Sequence, residues 1–73
     1  MRAVVNSPED LGRLVRRIRQ TSQLSQRELA ERLGTSQRYL YELENGKPKK
    51  ADRRYFELLD LLGITLTAET RDG

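Results

Sequence analysis

The 73-residue chain contains no cysteine, no histidine and no tryptophan, and phenylalanine occurs once. Without cysteine there is no disulfide and no thiolate metal site. Without histidine the usual general base and most zinc chemistry are missing as well. No apolar run approaches the length needed to span a bilayer, and the N-terminus lacks the apolar core of a signal peptide. A cytoplasmic protein is the expectation, with no metal, no cofactor, no small-molecule substrate and no enzymatic activity. A chain this short also lacks the volume for a large core. One domain over residues 1–73 is expected, with oligomerisation a common remedy for a marginal core.

Charge is abundant. Fourteen Lys and Arg stand against eleven Asp and Glu, a net charge of +3. Residues 1–24 carry +3, residues 25–46 carry −1, residues 47–56 carry +4 and residues 57–73 carry −3. Positive charge therefore brackets the middle of the chain, and the C-terminal segment is acidic. That distribution suits a phosphate-facing surface on one side and a protein-facing surface on the other.

The bracketed stretch, SQRELAERLGTSQRYLYELENG over residues 25–46, predicts two short helices joined by a tight turn. Ser25 and Glu28 have the spacing of a capping box, and Leu24 and Leu29 that of a hydrophobic staple. Leu29, Ala30 and Leu33 share one face, and Gly34 ends the first helix. Ser36 caps the second, Leu40 and Leu43 point inward, and Asn45-Gly46 stops it. A short helix, a glycine-bearing turn and a second capped helix make a helix-turn-helix. The outer face of the second helix carries Gln37, Arg38, Tyr41 and Glu42. Arg and Gln are suited to bidentate pairing with guanine and adenine edges in the major groove. These four are the candidate base-reading residues. Lys47, Lys49 and Lys50 follow directly in a loop that Pro48 keeps from continuing the helix, and form a candidate phosphate clamp.

Upstream, Ser7-Pro8-Glu9-Asp10 opens a first helix whose stripe is Leu11, Leu14, Val15 and Ile18. Arg13, Arg16, Arg17 and Arg19 lie off that stripe, facing solvent, phosphate or an acidic partner. Downstream, a helix is expected from about Ala51 to Leu62, with Ala51 a poor cap. Its apolar residues, among them Leu58, Leu61 and Leu62, cover more than one stripe, so a second subunit is the simplest cover. Gly63 ends it. Ile64, Leu66 and Ala68 then alternate with polar residues over residues 64–70, a strand pattern. A lone strand cannot satisfy its backbone groups, so it is expected to pair with Arg2-Ala3-Val4-Val5, with its own copy or with a partner chain.

With these residues in view, SQRELAERLGTSQRYLYELENGK resembles the helix-turn-helix of lambda-repressor-like (XRE-type) DNA-binding domains, from about Leu11 to Leu62. The resemblance implies phosphate contacts at Gln26 and Asn45 and base reading from the start of the second helix. SPEDLGRLVRRIRQ and YFELLDLLGITLTAE further resemble the HipB-type antitoxins. That resemblance implies an all-α, lambda-repressor-like domain of four helices plus a short C-terminal β-strand pairing across a dimer. Leu58, Leu61, Leu62, Ile64, Leu66 and Ala68 would then serve dimerisation. It implies a homodimeric repressor on an inverted-repeat operator in double-stranded DNA, with a HipA-like kinase toxin as partner. A stand-alone XRE-type regulator and a protein-interaction module on the same fold are the alternatives.

Overall fold

The computed structural model describes residues 1–72, so Gly73, the last residue of the expected domain, lies outside the described residues. Four helices follow in order: α1 (Pro8–Thr21), α2 (Gln26–Leu33), α3 (Gln37–Glu44) and α4 (Arg53–Leu61). Each begins with a side-chain cap that takes up a backbone N–H of the first turn. Ser7 accepts from the Asp10 amide at 3.0 Å and Ser36 from the Tyr39 amide at 3.2 Å. The capping box of α2 closes in both directions: Ser25 Oγ accepts from the Glu28 amide, and the Ser25 amide donates to Glu28 Oε1, each at 3.0 Å. The bond from the Ser25 amide, with the Ser25 side chain beside it, holds the Glu28 carboxyl below its ordinary pKa. For α4 the cap is Asp52, accepting from the Tyr55 amide at 3.1 Å, which corrects the expected start at Ala51. An Asp oxygen can accept that bond where an Ala methyl cannot.

The helix ends are equally regular. Gly34 adopts φ +73°, and the following Thr35 amide reaches back to the Ala30 carbonyl at 3.0 Å. This is a Schellman-type closure, and the left-handed residue at its centre favours glycine. The Lys47 and Ile64 amides close α3 and α4 in the same way, on the Glu42 and Leu59 carbonyls. In α1 the left-handed position is occupied by Gln23, at φ +59°.

The core is a single cluster of Leu11, Val15, Leu29, Ala30, Leu33, Leu40, Leu43, Leu58 and Leu59. α3 packs on both α1 and α2, and α2 also packs on α4. α1 and α3 cross at Gly12, where backbone meets backbone: a Cβ at Gly12 would meet the Leu43 carbonyl oxygen and stand 2.9 Å from that of Glu44. Arg19 departs from the sequence reading. It is buried, because its guanidinium has a buried partner in Glu44. Tyr39 is packed beside the core with a hydroxyl that finds no hydrogen-bond partner among the described residues.

No strand is present among the described residues: residues 64–70 and Arg2-Ala3-Val4-Val5 carry no regular secondary structure. A strand needs a neighbouring edge to bond to, and the two segments form no backbone ladder with each other. The two segments nevertheless lie together. With Leu14 and Ile18 of α1 they line an open groove of about 810 Å³ that includes Val5, Ile64 and Leu66.

Candidate nucleic-acid interface

The capping box, the Gly34 turn and the Ser36 cap fix how α3 sits on α1 and α2. Leu40, with no exposed surface, and Leu43 anchor its inner face. The opposite face is then set by the helical period. Gln37 and Arg38, in the first turn, are exposed, and Tyr41 follows one turn later at 58% exposure. Neither Gln37 nor Tyr41 makes a side-chain hydrogen bond among the described residues, so both present unused donors and acceptors. The structure thus brings three of the four candidate base readers onto one open surface.

The fourth, Glu42, is engaged within the chain. Its Oε1 accepts from Lys49 Nζ at 2.7 Å, and its Oε2 from Lys47 Nζ at 3.1 Å and Arg38 Nε at 3.3 Å. Bonds from Lys49, then Lys47, then Arg38 hold the carboxyl down at about 2. It is an anion at neutral pH, and three of its roughly four acceptor sites are taken up within the chain. Glu42 is therefore a hub on the face and not a free base reader.

The candidate phosphate residues separate in the same way. Lys50 is exposed and unpaired among the described residues, and the Lys47 side chain is 59% exposed despite its bond to Glu42. Lys49 is not a free cation: its side chain is 16% exposed, and its ammonium lies 5.0 Å above the Tyr39 ring as well as against Glu42. It ties the loop to α3. Arg54 approaches the same ring, 5.9 Å from its centroid. Gln26 opens α2 and donates from Nε2 to Glu44 Oε1 at 3.1 Å. That bond joins it to the buried Arg19–Glu44 pair, so its amide is oriented from behind. Asn45 follows α3 and turns its Nδ2 back on the Tyr41 carbonyl at 2.7 Å. On α1, Arg13 pairs with Asp10 at 2.6 Å, while Arg16 and Arg17 are exposed.

The residues expected at a dimer contact also divide. Leu58 has no exposed surface and belongs to the chain's own core, which removes it from any contact with a second subunit. Leu61 and Leu66 are each about half exposed, Leu62 and Ile64 are half-buried at the edge of the core, and Ala68 is exposed. Phe56, one of the residues that make α4 apolar over more than one stripe but not among those expected at the dimer contact, is 50% exposed with its ring edge-on to Tyr55, centroids 6.0 Å apart. Its signal was a large apolar residue off the stripe defined by Leu58 and Leu59.

No helix among the described residues is long and apolar enough to cross a membrane. No group of acidic residues there has the arrangement of a metal site.

Comparison with known proteins places this geometry. Residues 10–72 match the family described as helix-turn-helix domain. The uncharacterized HTH-type transcriptional regulator y4mF of Sinorhizobium fredii (strain NBRC 101917 / NGR234) is 36% identical over 62 residues, covering 85% of this chain and 82% of that one. Among solved structures, a chain of the HipA–HipB–O2–O3 complex superposes with a TM-score of 0.80 at 24% identity, over 96% of this chain and 99% of that chain. A chain of the HipB–O1–O2 complex does so with a TM-score of 0.79 at 25% identity, over 94% of this chain and 100% of that chain. The chain belongs to the helix-turn-helix domain family, in an XRE-like form that shares the fold of HipB.

Proposed function

We propose that this protein is a sequence-specific DNA-binding transcriptional repressor that works as a homodimer on an inverted-repeat operator. One observation carries the reading. Gln37, Arg38 and Tyr41 stand open on one face of a helix whose opposite face is locked into the core, with exposed Lys47 and Lys50 beside it. Such a helix fits a major groove, with Arg38 on a guanine, Gln37 on an adenine or a phosphate, and the lysines on the backbone. Gln26 and Asn45, at the start of α2 and the end of α3, are assigned to phosphate. Dimerisation is assigned to Leu61, Leu62, Ile64, Leu66 and Ala68, with Phe56 beside them.

A finer reading follows from the fold. HipB, which shares it, forms a complex with HipA, and we assign this chain the corresponding role: an antitoxin that binds a HipA-like kinase toxin and represses its own operon. The relative from Sinorhizobium fredii bears the name of a transcriptional regulator, and a stand-alone regulator is the second reading.

Selection of binding sites from random double-stranded DNA tests the first reading. The selected sequences should form an inverted repeat with half-sites about one helical turn, roughly 34 Å, apart. Recovery of no shared sequence would refute sequence-specific binding. The two finer readings part on the product of the adjoining reading frame. A kinase-like protein that binds this chain supports the antitoxin, and a neighbour that does not bind supports the stand-alone regulator.

A further inference from the structure

Glu42 presents a problem of charge. A carboxylate on a surface that faces DNA repels phosphate, so its place on α3 has to be explained by what it holds. It holds three cations, and they are not equivalent. Lys49 is a strut, enclosed between the carboxylate and the Tyr39 ring. Lys47 is tethered by one ammonium contact of 3.1 Å. Arg38 is bound through Nε alone, and its side chain is otherwise 84% exposed.

The atom used on Arg38 matters. A guanidinium can approach a base edge side-on, with Nε and one terminal nitrogen, or end-on, with both terminal nitrogens. With Nε occupied by Glu42, the end-on fork remains, and its two parallel donors match O6 and N7 of guanine. Arg38 and Glu42 are four residues apart on the helix, so the bond lays the arginine along the face of α3. An arginine without that bond is free to turn toward the nearest phosphates, where its charge is attracted whatever the sequence.

We infer that Glu42 is a positioning residue for base reading: it fixes Arg38 for end-on contact with one guanine and withholds Lys49 from phosphate, lowering non-specific affinity in favour of discrimination. The inference rests on the DNA-reading function proposed above. Its carboxyl, held at about 2 by the same bonds, stays ionised under any binding condition.

Glu42→Gln tests it. Glutamine keeps the length, the helix propensity and an acceptor oxygen, and removes the charge. The variant and the parent are titrated with the selected site, with that site changed at the base pair Arg38 reads, and with unrelated DNA, each over a range of salt. Discrimination at that base pair should fall by about tenfold, the low end of what a bidentate base contact contributes. Affinity for unrelated DNA should rise, and the log–log salt slope should steepen by about 0.9 for each phosphate newly engaged. In an Arg38→Ala background, Glu42→Gln should leave discrimination at that position unchanged. Equal weakening on all three DNAs with the parent's slope would make Glu42 a structural residue and overturn the inference. So would a further loss in the Arg38→Ala background. A parent that shows base preference beside a variant that keeps all of it overturns this inference alone. A parent with no base preference overturns the DNA-reading function, and this inference with it.

Discussion

The Glu44 carboxylate at the end of α3 closes on the Arg19 guanidinium of α1 with two bonds, 2.6 Å to Nε and 2.9 Å to Nη2, and both side chains are buried. Arg19 Nη1 also donates to the Leu24 carbonyl at 2.8 Å, and Gln26 shares Glu44 Oε1. One ion pair thus ties α1, the loop into α2, the start of α2 and the end of α3. The bond to Glu44 raises the Arg19 pKa further, so no accessible pH discharges the pair from that side. Glu44→Ala leaves a buried cation uncompensated and should cost about 3–5 kcal/mol in urea unfolding. The double change Arg19→Met with Glu44→Leu should cost clearly less, because it removes both charges and leaves apolar bulk. A single variant as stable as the parent would show that the pair does not hold the helices together.

Gly12 sets helix propensity against packing. Alanine is favoured over glycine in a helix interior by about 1 kcal/mol, which on its own predicts stabilisation by Gly12→Ala. The new methyl would instead strike the Leu43 and Glu44 carbonyl oxygens, which belong to backbone and cannot rotate away. Overpacking of this kind costs typically about 1–3 kcal/mol and separates the helices, so a net loss is expected. Thermal unfolding of the variant decides between the two, and an increase in Tm would mean that α1 and α3 have room to part.

Half-exposed Leu61, and half-exposed Leu66 in the groove it lines with Ile64, Leu14 and Val5, are expected to be covered by a second copy. Deletion of residues 64–73, or Leu66→Lys, should shift the protein toward monomer in sedimentation. An unchanged dimer after the deletion would assign the contact elsewhere.

The Glu42 carboxyl has a folded pKa of about 2, below the ordinary value of about 4.3. A depressed carboxylate contributes above its unfolded pKa and loses that contribution as pH falls through the folded one. The clasp on Lys49, Lys47 and Arg38 should therefore persist at pH 5 and weaken from about pH 4 down to 2. Carboxyl-carbon chemical shifts recorded across that range should give Glu42 a midpoint near 2. A midpoint near 4 would mean that the three cations are not held.

Much of this architecture is legible in the sequence because it is local. Ser7, Ser25, Ser36 and Gly34 act within one turn of themselves, and the inward leucines of α2 and α3 follow the helical period. What escaped depends on residues distant in sequence. Arg19 looked like one of four surface arginines, since its partner lies 25 positions away. Leu58 and Phe56 both belong to an over-apolar helix, and only the packing of α4 on α2 decides which is core and which is exposed. Glu42 and Lys49 read as separate contacts because nothing in their spacing shows that the loop folds back on α3. Gln23 ends α1 without the glycine that marks the other three helices, so that turn had no signal. The segment at residues 64–70 has the alternation of a strand, yet forms none in one chain, because alternation states a side-chain preference and leaves the backbone partner unspecified.

The most direct measurement is competition binding of the parent and of Arg38→Ala against every single-base variant of a selected site. If the outward face of α3 reads bases, Arg38→Ala should lose on the order of 1–3 kcal/mol on the selected site and relax preference at one base pair in each half-site. Its affinity for unrelated DNA should fall far less, because Lys47, Lys50 and the other backbone contacts persist. Equal loss on the selected site and on unrelated DNA, with base preference intact, would make Arg38 a phosphate contact and contradict the assignment of α3 as the reading helix.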